Sequence, residues 1–198
     1  MYKHKIKEIF LRFRESLSRH ASLTRICLIL SAYTLIAFHV PFFTDVFASI
    51  SGNLNGIWIA TSMFLIMLAL NFLVYYLLLY LCRIVGKCII ALTMLINAGC
   101  LYFINTYHVL IDSTMMGNVF NTQVSEASSF FSWTLIMYVL LLGGLPCAYI
   151  FYRKVDYGSW KRFFTNLGIS LAIILGVLAG NRHNIIWIDY NATVLGSK

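Results

Sequence analysis

Apolar residues run along the chain in five blocks: Ile26–Phe43, Ile57–Leu81, Cys88–Ile104, Phe130–Tyr152 and Phe163–Gly180. No Lys, Arg, Asp or Glu interrupts any of them. A helix rises 1.5 Å per residue, so about 20 apolar residues cross the roughly 30 Å hydrocarbon core of a bilayer. Backbone groups in lipid must be satisfied within their own segment, so each block is expected to be helical. The expected fold class is therefore all-α: a polytopic membrane protein with five transmembrane helices plus short amphipathic interfacial helices.

The polar stretches between the blocks alternate in charge. Met1–Arg25 carries Lys3, Lys5, Lys7, Arg12, Arg14, Arg19 and Arg25. Within it, Ile6, Ile9, Phe10, Phe13 and Leu17 recur at helical spacing, which reads as a basic amphipathic helix on an anionic lipid surface. Thr44–Gly56 has no basic residue, Cys82–Lys87 has two, Asn105–Ser129 has none and Arg153–Arg162 has four. Thirteen of the fifteen basic residues thus fall on the side of the N-terminus. The positive-inside rule places that side in the cytoplasm. The expected organisation is a cytoplasmic basic amphipathic segment (1–25), a five-helix transmembrane domain (26–180) with a periplasmic loop (105–129), and the start of a periplasmic linker (181–198). The short external tail reads as an interruption, with a further domain expected beyond it.

Composition agrees with this reading. Hydrophobic residues make up 60% of the chain, charged residues 11%, and mean hydropathy is +0.80. A soluble domain carries about 25% charged residues. The net charge of +8 raises nucleic-acid binding as an option. The basic residues sit beside apolar blocks rather than in an aromatic-basic groove, so nucleic acid is excluded as a partner. The five cysteines form no CxxC pair and lie in or beside apolar runs, where they act as small packed hydrophobes. Pro41 is expected to kink or end the first span, with His39 at the interface. Asn71 and Asn97 are expected to hydrogen-bond between helices. Most of the tyrosines and tryptophans mark interfaces.

The external connection Asn105–Ser129 carries the candidate chemistry. Asp112 or Ser113 can cap a short helix there. Asn118, Thr122 and Glu126 then stand at i, i+4 and i+8 and form one polar stripe beside Met115, Met116, Val119 and Phe120. Amide, hydroxyl and carboxylate at headgroup level suit a zwitterionic ligand: the carboxylate pairs with an ammonium, and the other two hydrogen-bond phosphate or ester oxygens. A solvated face of an ordinary loop helix has the same spacing. No nucleophile–base pair, metal-ligand cluster or phosphate-cradling glycine loop is present, so neither a catalytic nor a metal residue is assigned.

The stretch Tyr102–Tyr152 resembles the membrane domain of bacterial phosphoethanolamine transferases, including the lipid A enzymes and the mobile colistin-resistance enzymes. The matching positions are Tyr107, Ile111–Asp112, Asn118, Thr122, Glu126, and Leu142–Gly143 with Pro146. The resemblance implies an enzyme of the bacterial inner membrane with its N-terminus in the cytoplasm and its C-terminus in the periplasm. It implies transfer of phosphoethanolamine from phosphatidylethanolamine to lipid A or a related lipopolysaccharide acceptor, a modification that confers polymyxin resistance. It further implies a separate periplasmic, zinc-dependent catalytic domain with a threonine nucleophile, so zinc is expected there and not in residues 1–198. Asn118, Thr122 and Glu126 are the substrate-binding residues it carries over. Without the catalytic domain the chain is expected to be inactive. The competing expectation is a non-enzymatic membrane scaffold or assembly subunit. A small transporter fits less well, because the spans lack ionisable residues.

Overall fold

The computed structural model describes residues 20–49, 54–107 and 132–182. These residues are helical apart from short connections and two strands of two residues each, β1 (Ala21–Ser22) and β2 (Val155–Asp156). The helices are α1 (Leu23–Phe38), α2 (Val40–Ser49), α3 (Leu54–Tyr107), α4 (Trp133–Tyr152) and α5 (Trp160–Gly180). The strands are a small addition to the all-α expectation. The amphipathic segment expected over residues 1–25 lies, through residue 19, outside the described residues.

Three helices, α3, α4 and α5, are long and apolar enough to cross a membrane, and α1 with α2 makes a fourth span if the bent pair counts as one. The pair bends by 61° around His39. Pro41 explains the bend: it has no N–H to give to the preceding turn, and its ring crowds the carbonyl four residues back. The first apolar block therefore continues as α2 into the stretch expected to be a connection. A 54-residue helix would be about 80 Å long, well over twice the hydrocarbon thickness. α3 avoids this by breaking at Arg83, whose φ of 40° and ψ of −98° are not helical. Gly86 is the other half of the break. A Cβ there would overlap the Leu78 carbonyl, whose carbon would lie only 2.6 Å away, so no other residue fits.

The chain packs as two compact units. One comprises the described residues of Met1–Ile26 and Leu77–Tyr157. In it β1 and β2 pair in parallel, Ala21 opposite Val155 and Ser22 opposite Asp156, and the Ala21 N–H donates to the Lys154 carbonyl at 3.1 Å. The second arm of α3 lies against α4. Gly143 permits the approach: a Cβ at that position would stand 3.1 Å from the Leu95 Cα. Residues Val139–Gly144 form a π-helical turn. Such a turn lets α4 absorb Pro146, which cannot donate an i−4 bond, without ending the span.

The other unit comprises the described residues of Cys27–Tyr76 and Gly158–Lys198. Polar pairs join its helices at several depths. Thr34 Oγ1 lies 2.9 Å from the Tyr75 hydroxyl, Asn166 Nδ2 donates to the Tyr76 hydroxyl at 3.0 Å, and Asn181 Nδ2 donates to Ser62 Oγ at 2.8 Å. In lipid, apolar contact alone does not distinguish one helix partner from another, so such pairs specify the packing. Tyr76 also stacks between Phe72 and Phe163, at 5.3 and 5.8 Å between ring centroids. Asn71 corrects the inter-helix expectation: its Nδ2 donates to the Met67 carbonyl of its own helix at 2.9 Å.

Candidate functional site

Asn118, Thr122 and Glu126 all lie in residues 108–131, outside the described residues. The structure describes the two helix ends from which that connection springs. Ser132 caps α4, its Oγ accepting the Leu135 N–H at 3.1 Å. Its free N–H groups make an N-terminus unstable in an apolar setting, and a serine hydroxyl satisfies one of them. The same Oγ lies 2.8 Å from the Tyr102 hydroxyl on the last turns of α3. Tyr102 is buried, only 3% exposed, while Ser132 is partly exposed, so the bond lies at the edge of the packed helices. Tyr138 packs edge-on against Tyr102 at 5.7 Å, and its hydroxyl accepts from Asn105 Nδ2 at 3.4 Å. The helix ends that flank residues 108–131 are thus joined by a tyrosine–serine bond and a second, looser tyrosine–asparagine bond.

Sequence reading treats Tyr102 and Tyr138 as interface markers, and nothing in the sequence signals their pairing. Thirty residues separate Tyr102 from Ser132, and no periodicity spans that distance. The chemistry available at these ends is neutral hydrogen bonding by hydroxyl and amide. A charge partner for an ammonium group is not among them.

An open apolar cavity of about 650 Å³ lies in the second unit, beside the bend between α1 and α2. Leu35, Val40, Phe43 and Phe47 line one side, and Ile57 and Phe64 of α3 the other. Thr44 and Thr61 also line it, and their hydroxyls donate to the carbonyls of Val40 and Ile57, at 2.9 and 2.8 Å. Satisfied in this way, both hydroxyls have already given their proton within their own helix. The cavity can take hydrocarbon and has no partner for a charged headgroup.

Among the described residues no three His, Cys, Asp or Glu side chains are grouped so as to hold a metal ion. The five cysteines are free thiols, and Cys147 Sγ donates to the Ala91 carbonyl at 3.4 Å as a packing contact. These described residues do not supply a zinc site. His39 Nδ1 lies 3.0 Å from the Thr34 carbonyl, a position inside the bend.

A helical membrane domain with apolar spans and hydrogen-bonded polar ends is the class of protein this architecture defines. The family model for the phosphoethanolamine transferases EptA/EptB matches residues 65–197, two thirds of the chain, and the chain belongs to that family. It is 35% identical over 104 residues to "Phosphoethanolamine transferase EptA" of Helicobacter pylori, covering 52% of this chain and 20% of that protein. It is 33% identical over 106 residues to "Phosphatidylethanolamine transferase Mcr-1" of Escherichia coli, covering 51% of this chain and 20% of that protein. The fold is that of the integral membrane lipooligosaccharide phosphoethanolamine transferase A (EptA) of Neisseria meningitidis. The TM-score is 0.76 at 20% identity, over 90% of this chain and 34% of the other. The chain therefore spans about a fifth of the length of the curated relatives it matches, and lies in the membrane as an integral helical domain.

Proposed function

We propose that this chain forms the membrane part of a phosphoethanolamine transferase of the bacterial inner membrane, and that it holds the donor lipid phosphatidylethanolamine at the outer leaflet. The observation that carries the proposal is the family match over residues 65–197, which takes in the whole external connection. In this reading the Glu126 carboxylate pairs with the ethanolamine ammonium, while Asn118 and Thr122 hydrogen-bond the phosphodiester oxygens. Held at both charges, the lipid presents its phosphorus toward the periplasm. Transfer to lipid A or a related lipopolysaccharide acceptor is the work of a zinc-dependent periplasmic domain of the whole enzyme, and polymyxin resistance is its consequence. On its own the membrane part binds and orients. Thr122 is a binding residue in this scheme and not a nucleophile.

Each arm of α3 is one span in this proposal, which with the bent pair α1–α2, α4 and α5 makes five. The length of α3 supports it, because 54 residues are enough for two crossings and far too many for one. The N-terminus is then cytoplasmic and the connection 108–131 periplasmic, as the distribution of basic residues requires.

The test is Glu126→Gln in the whole transferase, assayed for release of diacylglycerol from phosphatidylethanolamine in vesicles. Loss of the carboxylate proposed to pair with the ammonium lowers kcat/KM by about 30-fold or more, the equivalent of roughly 2 kcal/mol for one partner of a desolvated charge pair. Parent-like kcat/KM in Glu126→Gln removes the residue from donor binding.

A further inference from the structure

In the first unit the chain brings cations from three separate stretches to the end where β1 and β2 meet. Its described residues hold Arg25, Arg83, Lys87, Arg153 and Lys154, against the single acid Asp156. Strand pairing ties the start of α1 to the segment after α4, and Lys87 Nζ donates to the Arg153 carbonyl at 3.3 Å, tying the break in α3 to the same place. The Arg83 guanidinium lies over the Tyr157 ring at 5.1 Å, and that of Arg153 over the Tyr149 ring at 5.2 Å.

These charges are placed with more care than membrane topology needs. The positive-inside rule asks only for basic residues near the ends of spans, in any geometry. Here Arg83 occupies a left-handed backbone position (φ 40°) that glycine would hold without strain. A guanidinium held against an aromatic face still has N–H donors to offer, and its planar fork matches phosphate oxygens. Lys87 is half-buried, and that burial holds its pKa below the ordinary lysine value. An ammonium has three donors, and the Arg153 carbonyl takes one of them. An anion beside it would restore what desolvation costs.

We propose that Arg83, Lys87 and the neighbouring Lys154 form a binding site for the phosphodiester of an anionic phospholipid, at the end of the domain opposite the external connection. The inference rests on the described side chains of the first unit and is independent of which lipid the transferase uses as donor. Phosphatidylglycerol is the simplest lipid with the required chemistry, one net negative phosphodiester and no ammonium. Phosphatidylethanolamine lacks the net charge and is expected to bind there poorly.

The experiment uses the 198-residue chain in a neutral detergent. Retained lipid is counted by native mass spectrometry and thermal stability is followed with added phosphatidylglycerol, phosphatidylcholine or inorganic phosphate. Phosphatidylglycerol is expected to be retained and to raise Tm, phosphatidylcholine and inorganic phosphate to do neither, and the effect to fade as salt is raised. Arg83→Gln with Lys87→Gln lowers retention about 30-fold, as the loss of two interfacial cations implies. Lys161→Gln with Arg162→Gln removes equal charge from the second unit and is expected to leave retention as in the parent. Equal retention of phosphatidylglycerol and phosphatidylcholine by the parent chain overturns the proposal, and this arm holds even if the double variant fails to fold. Equal losses in the two double variants overturn it in favour of general surface charge. A matching Tm rise with inorganic phosphate overturns the assignment to a lipid.

Discussion

Thr34 shows what a single side chain contributes in this protein. Its hydroxyl donates to the Leu30 carbonyl at 2.8 Å and meets the Tyr75 hydroxyl at 2.9 Å, with both residues buried. A hydroxyl in hydrocarbon has no water to fall back on, so the pair specifies which faces of α1 and α3 meet. Thr34→Val and Tyr75→Phe each remove one partner. Each is expected to lower stability in detergent by about 1 kcal/mol, and together by less than the sum of the two. Reversible unfolding in a denaturing detergent measures the cycle, and strict additivity means the hydroxyls do not interact. Neither residue stands out in the sequence, because a threonine and a tyrosine 41 positions apart carry no shared signal. The polar stripe Asn118, Thr122 and Glu126 is the reverse case. Its spacing is legible from the sequence, while its geometry falls outside the described residues.

At the scale of elements, composition reads where apolar helices run but not where they break. The five apolar blocks map onto the helices, with ends displaced where backbone chemistry intervenes. Pro41 turns the first block into two helices at 61° to each other, an outcome its missing N–H makes legible. The π turn at Val139–Gly144 is not legible, since only the neighbouring Pro146 hints at it. The break at Arg83 is hidden as well, because a left-handed arginine has no sequence signature. Gly86 is the residue to probe. Gly86→Ala would set a methyl against the Leu78 carbonyl, a backbone atom that cannot yield, and is expected to cost about 3 kcal/mol. Gly168→Ala in α5 meets nothing within 4 Å and should leave stability at the parent level or raise it by up to about 1 kcal/mol. Thermal unfolding of the two variants in one detergent compares them. Equal stability would mean that the turn in α3 is not as tight as described.

For the whole molecule, the number of crossings decides everything else. Family membership and fold establish a helical membrane domain, and three or four helices qualify as spans by length alone. Counting α3 twice changes the side on which every later residue lies. With two arms, three crossings precede residue 108 and the connection is external, where a donor lipid of the outer leaflet can be gripped. With one arm, the same connection is cytoplasmic and Asn118, Thr122 and Glu126 cannot touch that lipid. The charge distribution favours the first arrangement, because thirteen of fifteen basic residues then share one side. Sequence reading reaches this topology through charge, and the structure records a break in the helical backbone of α3 at Arg83, three residues before Gly86.

The most direct measurement is chemical labelling at position 126. Glu126→Cys is introduced into a chain whose five native cysteines have been replaced, and intact spheroplasts are treated with a membrane-impermeant maleimide. Labelling before lysis is the expected result and places the carboxylate position on the periplasmic side. Labelling that occurs only after lysis would contradict the five-span arrangement and, with it, the grip on phosphatidylethanolamine at the outer leaflet.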